Sequence, residues 1–156
     1  MREIADSLTA TLEQALPVLE AVREEDASKP ALGGGWSRKQ VVGHLIDSAS
    51  NNHQRFVRAG LAGGLEWPGY DQNGCVNIQA YDQAPWAMLL EIWSAMNRLL
   101  GHVLRYLPAE AAGAVCRIGN YQPMPLRELA QDYVSHLRHH LSQIGVEIEI
   151  DGHGRN

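Results

Sequence analysis

The chain has little cysteine, no long apolar run and no excess of positive charge. Its two cysteines, Cys75 and Cys116, have neither metal-ligand spacing nor the density of a secreted disulfide scaffold, so a reducing cytoplasm is the expected compartment. No stretch approaches the ~18 apolar residues of a membrane span. The opening Met1-Arg2-Glu3-Ile4-Ala5-Asp6 is too acidic and too polar for a signal peptide. Lys and Arg number 13 against 18 Asp and Glu, a formal charge of −5. That balance argues against nucleic acid as a partner, because non-specific binding relies on clustered Lys and Arg. Internal repeats and low-complexity tracts are missing. So are a P-loop, a dinucleotide-binding fingerprint and an H-E-x-x-H helix. With no E-x-x-H on any helix, the di-iron carboxylate bundle pattern is excluded too. Neither cysteine lies near a histidine in sequence, which leaves a cysteine nucleophile unsupported.

What is present is an ordinary globular composition, 45% apolar over 156 residues. That length allows one domain that buries about two-thirds of its unfolded-chain surface. Four segments carry helical periodicity. The first runs from Glu3 to Glu25, with Ile4, Leu8, Leu12, Leu16 and Leu19 at three- and four-residue steps and Pro17 as a possible kink. Ser28-Lys29-Pro30 and then Gly33-Gly34-Gly35 break the chain after it. The glycines lack a preceding strand and a Walker lysine, so they read as a hinge.

The second helix has the best start signal: Ser37 and Gln40 form a capping box, and Trp36 and Val41 occupy hydrophobic-staple positions. It is expected to stop at Gly60. The third runs from Trp86 to Leu107 between two prolines, with a stripe of Leu89, Ile92, Met96, Leu99 and Val103. The fourth opens at Pro125 and reaches Gly145, burying Leu126, Ala130, Leu137, Leu141 and Ile144. Val146-Glu147-Ile148-Glu149-Ile150 alternates like a short strand, and Asp151–Asn156 reads as a flexible tail beyond a domain of residues 1–150.

Helices of about 20 residues are each ~30 Å long, which predicts an all-α four-helix bundle. The Gly60–Pro85 connection is too long for a tight hairpin and can cross the whole bundle, allowing helices two and three to run parallel. It carries Trp67, Tyr70 and Tyr81, and the expectation is that Trp67 or Tyr70 covers a functional site.

Seven histidines stand out in so short a chain. At about 100° per residue, His136 and His140 lie about 40° apart and about 6 Å along one face of the fourth helix, a spacing that lets two imidazoles converge on one ion. Both flank the apolar stripe, whereas His139 is turned toward the solvent edge. On the second helix, His44 shares its face with Ser48, Asn51 and Arg55, with Asp47 at the margin. His53 lies on the opposite side, His102 borders the polar side of the third helix, and His153 is in the tail. Geometry therefore selects His44, His136 and His140. Spacing alone leaves two readings of them, metal ligands or hydrogen-bonded core histidines.

The residues that carry these signals resemble a known family. H-L-x-D-S-x-x-N-x-x-x-R-F, from His44 to Phe56, is similar to the second helix of the DinB/YfiT-like superfamily, and His136-x-x-His139-His140 is similar to its fourth. The YfiT-like branch is the nearest, and Trp36-Ser37 and Pro125-Leu126 stand where that family opens the same helices. The resemblance implies an up-down-down-up bundle and a divalent ion, zinc or nickel, held by three histidines. Carried over by position, these are His44, His136 and His140, the same three that helical geometry selects. It also implies a homodimer, and an activity that is metal-dependent: hydrolysis, or transfer or isomerisation using a low-molecular-weight thiol, on a small-molecule substrate. Asp47 is the candidate to orient a ligand imidazole or a bound water, and a plain surface carboxylate is the equal alternative. The competing class is a non-catalytic metal-binding module that dimerises or sequesters a ligand.

Overall fold

The computed structural model describes residues 1–30 and 34–149. In chain order the elements are α1 (Arg2–Glu20), a one-turn α2 (Glu24–Ala27), α3 (Arg38–Ala62), β1 (Gly64–Trp67), α4 (Gln72–Ile78), α5 (Trp86–Tyr106), β2 (Val115–Ile118), β3 (Met124–Pro125) and α6 (Leu126–Gln143). The four long helices α1, α3, α5 and α6 form the expected all-α bundle. Side-chain pairings fix their directions. Trp86 at the start of α5 donates through Nε1 to the Leu19 carbonyl at the end of α1, and Arg105 pairs with Asp6 at the other end, so α1 and α5 are antiparallel. Glu3 pairs with Arg127, and Arg138 reaches Ser7 and Thr11, so α1 and α6 run parallel. The course is therefore up-down-down-up.

Local chemistry accounts for the helix starts. The Ser37–Gln40 capping box is formed in both directions, Ser37 N donating to Gln40 Oε1 at 2.9 Å and Gln40 N to Ser37 Oγ at 3.3 Å. Two helix ends and one short strand differ from the expectation. The first helix ends at Glu20, with Pro17 inside it, rather than at Glu25. The turn that follows delivers Glu24 to the start of α5, where its carboxylate accepts from Trp86 N at 2.8 Å and pairs with the buried Lys39. The second long helix passes Gly60 and stops at Gly63, whose φ of +71 makes the left-handed cap. Gly60 instead admits a neighbour: a Cβ there would lie 2.6 Å from Leu107 Cδ2. Val146–Glu149 keeps its alternating burial but has no strand partner among the described residues. Gln14 takes that role, its amide bonding both the N–H and the C=O of Glu149. Ile150, the tail and Gly33 lie outside the described residues.

The α5 stripe is turned by about one residue from the expected phase. Leu89 is buried as expected, but Ile92 is 39% and Leu99 48% exposed, and Trp93, Asn97, Leu100 and Leu104 face the core instead. The helix has apolar residues on two faces, and a polar contact selects between them. Asn97 is fully buried and accepts from the Tyr133 hydroxyl on α6. The α6 stripe is as expected, with Leu126, Ala130, Leu137, Leu141 and Ile144 all buried.

A small sheet, unanticipated in the sequence, joins the end of α3 to the start of α6. β1 pairs in parallel with β2 (Gly64 opposite Val115 to Trp67 opposite Ile118), and β2 pairs antiparallel with β3. β2 buries Cys116 and Ile118 and exposes Val115 and Arg117. The crossover from α3 to α5 is thus an ordered arm of β1, α4 and a short 3-10 turn at Tyr81–Gln83. Among the described residues, no helix is long and apolar enough to cross a membrane.

Candidate metal centre

The antiparallel packing of α3 on α6 sets an early turn of one helix against a late turn of the other. His44 is thereby brought to His136 and His140. Their ligating atoms all lie within 4.8 Å of one another, with His44 Nε2 to His136 Nε2 at 3.2 Å. Two imidazoles on a tetrahedral zinc, at 2.0–2.1 Å each, would be about 3.3 Å apart. The donor set therefore fits a divalent ion of that size and preference.

The environment keeps these rings neutral, as ligation requires. His44 is 0% exposed. Burial, reinforced by His140 and His136, pushes it down to about 3. Burial and the neighbouring His140 push His136 down to about 4, and burial lowers His140 as well. The tautomer of His140 is set by Gln143, whose Oε1 lies 2.9 Å from Nδ1. Nδ1 accordingly carries the proton and Nε2 keeps its lone pair. The same amide donates to His139 Nε2 at 3.0 Å. His139 is exposed and contacts the cluster only from outside, His53 is half-buried, and His102 is exposed beside Tyr106. His153 lies outside the described residues. Trp36 covers the site from the loop before α3, its ring centroid 5.2 Å from that of His44.

Asp47, one turn after His44, is clamped from the crossover. The Tyr81 hydroxyl donates to Asp47 Oδ1 at 2.7 Å and Gln79 Nε2 donates to the same oxygen at 2.8 Å. Between these two donors Ala80 takes a left-handed φ of +46, a conformation uncommon outside glycine that aims both neighbours at one carboxylate. Asp47 Oδ2 and His44 Nδ1 are both buried, and neither has a hydrogen-bond partner among the described residues.

A family profile for the DinB superfamily matches residues 7–144. The chain belongs to the DinB superfamily. Relatives include proteins named "Putative metal-dependent hydrolase" from Bacillus pumilus (27% identical over 140 residues, 89% of this chain and 79% of the relative) and Geobacillus thermodenitrificans (27% over 156 residues, 92% and 78%). Among solved structures, YfiT from Bacillus subtilis, described as a probable metal-dependent hydrolase with an unusual four-helix bundle topology, matches with a TM-score of 0.76 at 22% identity, over 91% of this chain and 82% of that one. A mycothiol-dependent maleylpyruvate isomerase matches with a TM-score of 0.79 at 13% identity, over 92% of this chain and 60% of that one. These structural likenesses establish the shared fold.

In this DinB-superfamily chain a cavity of about 220 Å³ opens beside the cluster and has His136 in its wall. Ser48, Asn52 and Arg55 line it from α3, and Tyr133 from α6. Of the two crossover aromatics expected there, Tyr70 lines it. Trp67 instead stands in β1, its ring under the Arg58 guanidinium at 5.0 Å. Asn51 turns back onto its own helix, donating to the Asp47 carbonyl at 2.9 Å, and Asn52, one residue on, takes the cavity position instead. Cys116 is also in the wall, but burial pushes its thiol up, away from the thiolate form that a nucleophile needs. Cys75 and Cys116 are both free.

The sequence gives no sign of the roles of Gln79 and Asn52 at the site. Gln143 had a usable local signal, its position three residues after His140 on one helix face.

Proposed function

We propose that this protein is a metal-dependent enzyme that holds one divalent ion, zinc or nickel, on His44, His136 and His140. Its reaction is attack by a small thiol or water on a small electrophilic molecule. The observation that carries this reading is the position of His136, at once a member of the imidazole cluster and part of the wall of a small-molecule cavity. Three protein ligands beside an accessible space are the arrangement of a catalytic site rather than a closed structural one. An ion bound there supplies a lowered pKa for the thiol or water beside it.

The chain's own residues supply the rest. Neutral imidazoles, His44 buried and His136 and His140 half-buried, present lone pairs without competition from protons at neutral pH. Gln143 holds the His140 ring in the ligating tautomer. Asp47 is a positioning residue: with Oδ1 fixed by Tyr81 and Gln79, the unpartnered Oδ2 is the acceptor that orients the equally unpartnered Nδ1–H of His44 through a bridging water. Trp36 and Tyr70 limit solvent access, which strengthens electrostatic interactions at the site. The names of the relatives from Bacillus pumilus and Geobacillus thermodenitrificans support a metal-dependent hydrolase, and that of the isomerase supports use of a thiol.

The test is a panel of low-molecular-weight thiols and model electrophiles assayed with metal-loaded protein, chelated protein and His140→Ala. Thiol- or water-dependent turnover confined to the loaded wild type supports the enzyme. Equal rates in all three assign the site to a non-catalytic binding module.

A further inference from the structure

We propose that the reactant occupying the cavity beside the three histidines carries a carboxylate, and that Arg55 is its anchor. This rests on the reading above, since it names the chemistry of the molecule that the same site takes.

Arg55 is 7% exposed and sits in the cavity wall with His136. A guanidinium offers five N–H donors and no acceptor. Among the described residues it finds a single acceptor, Asn52 Oδ1, at 3.4 Å, while its Nε is buried without any partner. No carboxylate forms a salt bridge with it among those residues. The chain satisfies its other sheltered cations. Lys39 pairs with Glu24, and Arg138 donates to Thr11 Oγ1 at 2.9 Å and to Ser7 Oγ at 2.7 Å. Arg55 differs in having neither a carboxylate nor a close set of acceptors among the described residues, and a buried charge left so is costly.

Among the described residues, the cavity wall sets no anion against Arg55 to compensate. Burial pushes Tyr70 up to about 12, so it remains a neutral phenol, and the Cys116 thiol is likewise pushed up. Asp132 also lines the cavity, but it is solvent-exposed and makes no ion pair with Arg55. Asn52 donates its own amide to the Ser48 carbonyl at 2.9 Å, which aims its oxygen at the guanidinium and holds that group in place.

The planar fork of a guanidinium matches a carboxylate in bidentate fashion. A lone cation suits a singly charged group better than a phosphate, which at pH 7 carries nearly two charges. Arg55 lies ~16 Å beyond His44 along the helix axis. Helical side chains tilt toward the N-terminus, so the guanidinium is carried back toward the imidazoles. A carboxylate seated on it leaves the other end of a short molecule directed at the histidines. The carboxylate can belong to the electrophile or to the thiol.

The experiment titrates metal-loaded full-length protein with butyrate and with butyramide, by calorimetry or NMR. 3-Mercaptopropionate and 2-mercaptoethanol form a second pair. We expect each acid to bind at least about tenfold more tightly than its neutral counterpart, the effect of one charge-assisted hydrogen-bonded pair. A preference in butyrate alone places the group on the electrophile, a preference in the thiol pair alone places it on the thiol, and a preference in both supports a carboxylate seat open to either reactant. Arg55→Gln should abolish the preference while retaining metal. Because an acid can also ligate an ion directly, the titration is repeated on chelated wild type, where the preference should persist. Equal binding of acid and neutral partner in both pairs overturns the proposal. So does a preference that survives Arg55→Gln, or one that disappears on chelation. If Arg55→Gln does not fold, Arg55→Lys keeps the charge without the fork and should weaken the preference, and the wild-type comparison needs no variant. Protein that takes up no metal yet keeps the preference counts against the metal reading alone.

Discussion

The Tyr81 ring lies over the Cα of Gly43 so closely that a methyl group there would be 2.2 Å from Tyr81 Cγ and Cδ2. Tyr81 in turn donates to Asp47, four residues further along the same helix. Glycine in mid-helix is ordinarily a cost of about 0.5–1 kcal/mol relative to alanine. Here it admits the residue that braces the site. Gly43→Ala should therefore destabilise the protein by about 1–2 kcal/mol, because overpacking against a ring outweighs the gain in helix propensity. Denaturant unfolding checks this, and a variant more stable than wild type would show that Tyr81 is free to move aside.

His136→Ala and His53→Ala should separate ligand from bystander. The first removes a nitrogen 3.2 Å from His44 Nε2 and should abolish stoichiometric metal retention after dialysis. The second removes a half-buried ring outside the cluster and should leave metal content unchanged. Elemental analysis of both variants is sufficient, with circular dichroism to confirm folding.

Gln143→Leu should weaken metal binding without unfolding the bundle. The amide orients His140 from an exposed position, and removal of such a partner typically costs 10–100-fold in metal affinity. Competition with a chromophoric chelator gives the number. Unchanged affinity would mean that packing alone holds the His140 ring.

Acid should destabilise the chelated protein earlier than carboxylate titration alone would. His44 and His136 have folded-state values of about 3 and about 4, below the ordinary imidazole value of 6.5. The unfolded chain therefore takes up protons first as pH falls. Their contribution to stability is fully present above pH 6.5 and is lost progressively from there toward pH 3–4. Denaturant midpoints between pH 7.5 and pH 5, in the presence of a chelator, should fall, and His44→Gln should flatten that slope.

The helical skeleton and the shared face of His136 and His140 were legible because both depend on short-range regularities. Ser37 caps α3 through a residue three positions away, and His136 and His140 share a face by the pitch of one helix. Even the YfiT-like motif is a pair of local helical patterns. Errors arose where two local choices were nearly equal. On α5 the set of Ile92, Met96, Leu99 and Val103 is as periodic as the set of Trp93, Asn97, Leu100 and Leu104, and periodicity alone cannot choose. At the end of α3, Gly60 and Gly63 both read as stops, and only Gly63 has the backbone conformation of one.

By itself, then, the sequence determined four helices, the Ser37 cap and the common face of His136 and His140, since hydrophobic periodicity and capping act within a few residues. The tertiary structure alone decided that Tyr81 and Gln79 clamp Asp47, that Asn97 turns α5 toward Tyr133, and that β1 and β2 pair in parallel. It alone left Arg55 buried in the cavity wall it shares with His136, without a counter-ion among the described residues. Each of these depends on groups from distant parts of the chain meeting at a few ångströms, and such meetings follow from close packing and hydrogen-bond satisfaction over the whole core, which no local pattern encodes.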